Sequence, residues 1–464
     1  MRSGRLGLPF EGWRAGALGG TVTRVCPESA PRTVNRHIPL ATASARPAPP
    51  ADVRWRWTHL LRAPHRLAFA GATAVLVLGS LWWLWVQLAR LGWLPPGPLA
   101  VSPSLGHGVL MVHGFMPLFF IGFLFTAGPK WLGVAGPEAR AVLPSVALQA
   151  IAWPLWLLGV HLSGWVAALA LLLAAAGQAL AGTRFLGLLR ASEADDTAHA
   201  RLVALGWTIG VLSLLGLAAA LVQDEPEAAR RWLHTALWGF VALVYVTVVH
   251  RMVPFFTSSA LPLVRLWRPM WVLHALVATV ALKALGPWLT LAGLDASMWR
   301  AFEGFAMLVA GFVVLWLAFV WGLAQSLSIR LLAMLHLGFV WLGLGLLIDG
   351  VGQVWGWIGG VPLAPLAALH ATTMGFLGSL MLAMVTRVSC GHGGRALLAD
   401  RISWWAFLVL QLATLLRIAT AVAPPQWVGG LAATTAGLWL LAVGPWGLRL
   451  LRWYGQVRPD GKPG

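Results

Sequence analysis

Charge is scarce in this 464-residue sequence: only 10% of residues are Asp, Glu, Lys or Arg. Soluble domains carry roughly 25%, so an ordinary water-exposed surface is excluded for most of the chain. Acids are scarcer than bases, 15 against 33. Two cysteines, Cys26 and Cys390, fall in segments read as cytoplasmic and exclude a disulfide framework. Without a CxxC or CxxCH motif, neither a dithiol redox pair nor covalent c-type haem attachment is available. The formal net charge of +18 would suggest nucleic acid in a soluble protein. Here the arginines sit at the ends of apolar runs and in the N-terminal segment, so membrane topology accounts for them and no nucleic-acid partner is expected.

What remains is apolar. Hydrophobic residues make up 59% of the chain and mean hydropathy is +0.76. Twenty-nine tryptophans stand against two tyrosines, and tryptophan favours the membrane–water interface. A span needs about 20 mostly apolar residues. That rule predicts helices near 67–89, 106–127, 142–161, 165–188, 202–222, 232–252, 270–290, 303–324, 331–355, 364–388, 402–423 and 428–450. Pro95-Pro96, Pro129, Pro254, Pro262, Pro362 and Pro424-Pro425 are read as lying at or between helix ends, and Pro117 and Pro154 as internal kinks. With the N terminus in the cytoplasm, nearly all loop arginines collect on one side. The other side receives only Arg90, Arg230, Arg231 and Arg300. The expected fold is therefore all-α, a polytopic transmembrane bundle of about twelve spans with both termini cytoplasmic, in a bacterial inner membrane. Residues 1–65 read as a basic, disordered tail or an over-extended start, 66–452 as the membrane domain, and 453–464 as a short C-terminal tail.

Ionisable groups inside a bilayer are costly and mark function by default. Apart from those at loop borders, seven histidines fall in the predicted spans: His107, His113, His234, His250, His274, His336 and His370. Topology places His107, His113, His234 and His370 in the outer half. His250, His274 and His336 lie near the cytoplasmic side. His234 and His250 are 16 residues apart, about 24 Å along a helix, so one metal cannot take both. His107 and His113 lie about 120° apart around a regular helix and would not chelate one ion. Imidazole suits haem iron and copper, so the outer group, with His107, His234 and His370 on three helices, is the candidate metal or cofactor set. Gly106, Gly108, Gly114, Gly239, Gly375 and Gly378 are read as making room for a cofactor, with Met111 and Met374 as possible thioether ligands. The bland alternative is that each histidine bonds a neighbouring helix. His161 reads as interfacial, Glu303 and Asp349 as solvated outer helix ends or proton relays, and Lys283 as a snorkelling side chain. Arg417 is expected to face the bundle, pairing with a haem propionate or with Asp349.

Three segments together resemble the NnrS family of haem- and copper-containing bacterial membrane proteins. The first runs from His107 through Phe115 and continues in Gly122 through Gly133. The second is His250-Arg251-Met252-Val253-Pro254-Phe255-Phe256-Thr257. The third runs from His370 through Met384-Val385-Thr386-Arg387 to Gly391-His392-Gly393-Gly394-Arg395. The resemblance spans roughly residues 60 to 455. It implies haem, with copper as a weaker second cofactor, and a role in the response to nitric oxide and nitrosative stress, often beside denitrification. Many members carry His-x-His-Glu in the second helix, whereas this chain has His107-Gly108-Val109-Leu110, matching only the first histidine. The rim formed by His250, Arg251, Arg387, His392 and Arg395 would hold haem propionates or an anion such as nitrite, or anchor the chain to anionic lipid headgroups.

Two other functions fit twelve spans. A haem-copper oxidase or nitric-oxide reductase subunit would also use several ligand histidines, but its adjacent His-His pair and His-Pro-Glu segment are absent. A proton-coupled secondary transporter would use the histidines with Glu303 and Asp349.

Overall fold

The computed structural model describes residues 54–360 and 363–461. Residues 1–53, which carry most of the expected N-terminal tail and Cys26, lie outside the described residues. Within residues 54–65 the chain forms a 3-10 turn, Trp57–Arg62, and enters the first long helix at Pro64.

All twelve expected spans are present as helices of membrane-crossing length. They are α1 (Pro64–Arg90), α2 (Pro103–Leu132), α3 (Ala139–Leu162), α4 (Gly164–Arg190), α5 (Ala198–Val222) and α6 (Pro226–Ala260). The second half comprises α7 (Met270–Leu291), α8 (Ala296–Val320), α9 (Arg330–Gly359), α10 (Pro365–His392), α11 (Arg401–Thr420) and α12 (Pro425–Tyr454). Local chemistry sets many of the starts. Proline opens α1, α2, α6, α10 and α12, where its missing N–H has no intrahelical partner to lose. Asp295 caps α8 by accepting from the Met298 N–H at 2.7 Å, and Asp400 caps α11 by accepting from the Ser403 N–H at 3.0 Å.

Several prolines fall otherwise than expected. Pro254 lies inside α6 and Pro129 inside the last turns of α2, and Pro144, Pro287 and Pro445 are also internal. Proline is tolerated there because neighbouring helices and side chains re-satisfy the freed carbonyls. Pro117 opens the helical segment that succeeds a π segment in α2.

The outward faces are apolar. Along α8 the exposed side chains are Phe302, Phe305, Val309, Phe312, Trp316 and Phe319, a stripe at helical spacing. Such a stripe is stable only against lipid tails, and the chain is a multi-pass membrane protein. Trp55, Trp57, Trp271 and Trp405 are exposed near one face and Trp93, Trp165 and Trp427 near the other. Tryptophan is not only interfacial, however: Trp153, Trp156, Trp207, Trp321 and Trp446 are fully buried in the core.

The two ends of the membrane domain meet. Arg56 N–H donates to Gly455 O at 2.8 Å, and the Arg66 guanidinium donates to Tyr454 O and Gln456 O at 3.3 and 2.8 Å. We call this the near face and the opposite one the far face. α1 and α12 pack together, closing the series of sequence-adjacent helices. Helices α2, α6 and α10 are the most deeply buried. Each contains a π segment in its far half: Leu110–Gly114, Ala236–Ala242 and Ala371–Gly378. The inner helices recur at every fourth span. Their aromatic side chains meet at Phe120, Tyr245 and Phe376, with ring centroids 5.6 and 5.8 Å from Tyr245.

Candidate functional site

A π segment widens one helical turn and shifts the register of the residues beyond it, and such segments recur at functional sites. Here each one carries or adjoins a far-half histidine. His113 lies within the first, His234 stands two residues before the second, and His370 immediately precedes the third.

The four far-half histidines have three different surroundings. His107 stacks on Trp83 of α1 with centroids 3.9 Å apart and planes 13° apart, and its buried Nδ1 has no hydrogen-bond partner. His370 of α10 and Arg417 of α11 lie within electrostatic reach of His107. His370 donates Nδ1–H to the Leu366 carbonyl at 2.7 Å, which fixes the tautomer and leaves the Nε2 lone pair free. Arg417 makes no hydrogen bond or ion pair with the described residues. This corner therefore joins two imidazoles with available nitrogens and one unpaired guanidinium.

His113 is fully buried on the inner side of α2, and neither ring nitrogen has a hydrogen-bond partner. Its ring stands 6.1 Å from that of Phe240 on α6. A buried imidazole with both nitrogens unpaired is costly unless something else engages it.

His234 belongs to a third setting. It donates Nε2–H to the Lys283 carbonyl at 2.7 Å, leaving Nδ1 as a lone-pair donor. The Lys283 ammonium is clamped between Glu303 Oε1 at 2.6 Å and Asp349 Oδ2 at 2.7 Å. It also lies 5.5 Å from the Trp238 ring centroid. This corrects the expectation of a snorkelling lysine and solvated acids: α7, α8 and α9 bring the three charges together inside the bundle. It also removes Asp349 as the partner of Arg417.

On the near side the expected inner group separates. His250 pairs with His199 of α5, which sequence reasoning passed over at a predicted loop border; His199 Nε2 lies 3.0 Å from His250 Nδ1. His250 Nε2–H donates to Pro269 O at 3.1 Å, so His250 Nδ1 must accept and His199 Nε2 must donate. His336 Nε2 lies 2.8 Å from Thr257 Oγ1, which itself donates to Val253 O. His274 is exposed on α7. Arg251 and Arg387 are each held over an aromatic ring, Trp131 at 5.2 Å and Phe256 at 3.7 Å.

The glycines read as making room for a cofactor are filled against neighbours instead. A Cβ at Gly106 would stand 3.0 Å from Trp82, at Gly108 2.6 Å from Leu233, and at Gly375 2.6 Å from Trp341. Gly114, Gly239 and Gly378 meet Val75, Ile209 and Leu410 at 3.3, 3.1 and 3.4 Å. Their role is close helix packing. The central space is a small apolar cavity of about 50 Å³, lined by Phe69, Phe120, Val244, Tyr245, Met381 and Met384 among others. Among the described residues no three His, Cys, Asp or Glu side chains converge closely enough to hold a metal ion.

Twelve helices long and apolar enough to cross a membrane, with histidines at or beside the π segments of the three most buried, define a polytopic helical membrane protein. No curated protein matches the chain. The profile of the family described as NnrS protein matches residues 59–458, nearly the whole chain, and the chain belongs to that family.

Proposed function

We propose that this NnrS-family protein binds haem within the membrane, with copper as a weaker second cofactor, and acts in nitric-oxide handling and nitrosative-stress resistance. The observation that carries the reading is the corner of His107, His370 and Arg417. His370 has its Nδ1–H anchored on a backbone carbonyl, the arrangement of a ligating histidine. Unpaired Arg417 is the natural partner for a propionate. These donors fit haem. His113 and His234 are further candidates, each with a free ring nitrogen. The fit for copper is poorer, since paired imidazoles such as His199 and His250 lack a third ligand.

Haem with an open coordination position would supply the binding of nitric oxide. The chain's own side chains would hold and orient it: Trp83 fixes the His107 plane, and Leu366 O fixes the His370 tautomer. The small apolar cavity beside Tyr245 would admit a diatomic molecule while excluding water. Optical spectra and metal analysis of purified protein test the proposal, comparing wild type with His107→Ala, His234→Ala and His370→Ala. Loss of Soret absorption in His107→Ala and His370→Ala is expected. Wild type with neither Soret absorption nor stoichiometric iron or copper would overturn it.

The Lys283–Glu303–Asp349 cluster favours a second reading, proton-coupled transport. Uptake of a labelled substrate into proteoliposomes that depends on a pH gradient and survives His370→Ala would support that reading instead.

A further inference from the structure

A cavity of about 500 Å³ lies at the near face between the starts of α1 and α3 and the ends of α2 and α10. Its walls include Arg62, His65, Thr126, Glu138, His392 and Arg458.

Two helices begin on this cavity. Ala63 precedes α1 and Glu138 precedes α3; both line the space, and neither makes a side-chain capping bond. The free N–H groups at helix starts carry partial positive charge and favour an anion. On α1 Pro64 contributes none and Arg66 N–H bonds Ala63 O, so His65 N–H is the free backbone donor there, with those of Ala139 and Arg140 on α3.

A second observation is independent of the helix ends. His65 is 3% exposed, lines the cavity, and its ring makes no hydrogen bond with the described residues. Its ring neighbours are Phe69 at 6.1 Å and His392 at 5.4 Å. A buried imidazole of this kind leaves donor capacity facing the space.

The field around the cavity is positive. Arg62, Arg395 and Arg458 each act on Arg66, and Lys130 and Arg458 act on His392. Arg66 is engaged by the Tyr454 and Gln456 carbonyls, and Arg458 by Asp460. Arg62 has no ion-pair partner among the described residues, and Glu138 is the acid on the wall.

We propose that this near-face vestibule binds a phosphate group. Donors come to it from several directions: two uncapped helix starts, the His65 and His392 imidazoles and the Arg62 guanidinium. The cavity volume admits a polyatomic anion. The exposed Trp55 and Trp57 place its mouth at the level of headgroups, so the phosphate belongs either to an anionic phospholipid or to a free phosphate. The site is at the opposite face from His107 and His370 and does not depend on the haem reading.

The test uses the full chain in two arms. Purified protein in neutral detergent is titrated with inorganic phosphate by calorimetry. Protein from nanodiscs of phosphatidylcholine and phosphatidylglycerol is examined by native mass spectrometry for retained phosphatidylglycerol. Wild type is compared with His65→Gln, Arg62→Gln and the control Arg201→Gln, an exposed near-face arginine away from the cavity. Exposed Arg62 supports no packing, so Arg62→Gln keeps the fold. Losing one charge-assisted hydrogen bond weakens binding by about ten- to a hundredfold. Phosphate binding reduced to that extent in both site variants and unchanged in the control identifies a free anion site. Retained lipid lost in the same pattern identifies a headgroup site. Binding of neither probe, or equal binding by wild type and both site variants, overturns the proposal.

Discussion

Lys283 Nζ lies 2.6 Å from Glu303 Oε1, in the membrane domain and almost fully buried. With Asp349 the cluster sets one cation against two carboxyl groups. Removing one partner of a buried ion pair costs about 3–5 kcal/mol because it strands the other, whereas removing all the charges is often nearly neutral. Lys283→Met is therefore expected to lower the detergent melting temperature sharply. The triple variant Lys283→Met, Glu303→Gln, Asp349→Asn should recover most of that loss. Equal melting of the single and triple variants would show that the charges do not support one another.

Arg417 gives the haem proposal a finer test. Arg417→Gln should leave helix content unchanged while haem passes to apomyoglobin about tenfold faster, the expected weight of one charge-assisted contact. Unchanged transfer would remove Arg417 from the site.

The cavity beside Tyr245 is apolar on nearly every side, and such cavities stay dry and take xenon. Hyperpolarised xenon exchange should report one saturable site in wild type and none in Val244→Phe, which fills the space from α6. The added ring is expected to cost about 1–3 kcal/mol through overpacking. Xenon exchange undiminished in the variant would place the gas elsewhere.

Asp400 makes acid sensitivity predictable at the start of α11. Partial burial works to raise its carboxyl, but hydrogen bonds from Arg449 and Ser403 outweigh this and hold it below the ordinary carboxylate range. A depressed folded value means the stabilisation is complete above the unfolded value, about 3.9, and is lost as pH falls through the folded one. The side chain is 46% exposed, so solvent screening limits the ion-pair part to less than about 1 kcal/mol. Asp400→Asn should flatten the acid limb of a stability–pH profile and barely change stability at neutral pH if the amide oxygen keeps the cap.

Much of the fold is legible because a bilayer leaves few options. Runs of apolar residues must be helices, and the arginines between them mark the ends, so all twelve spans are found from composition and length. Boundaries err inward where helices continue past the apolar run, as in α6, which goes on through Pro254 to Ala260. The far-half histidines are also legible, since charge-capable groups stand out in apolar runs. Their grouping is not. His370 comes within electrostatic reach of His107 although the two stand on different helices, while His234 is drawn to the Lys283 carbonyl on α7. His199 is missed because it sits in the first turn of α5, yet its partner His250 lies 51 positions away on the neighbouring helix. A histidine three residues after an acid, as in Asp196-Thr197-Ala198-His199, carries no signal by spacing alone. The π segments leave no periodic mark either, because one extra residue per turn is a backbone choice dictated by neighbours.

The spacing of those π segments bears on how such a molecule can move. A transporter that alternates its access works by rocking one half against the other, and its natural repeat divides the helices by two. Here the buried helices come second, sixth and tenth, so the repeating unit divides twelve by three. With Arg66 on the first helix bonded to the last, the seam that two swinging halves would need is itself stitched shut. A scaffold of thirds around a fixed interior suits holding a buried group in place better than carrying one across.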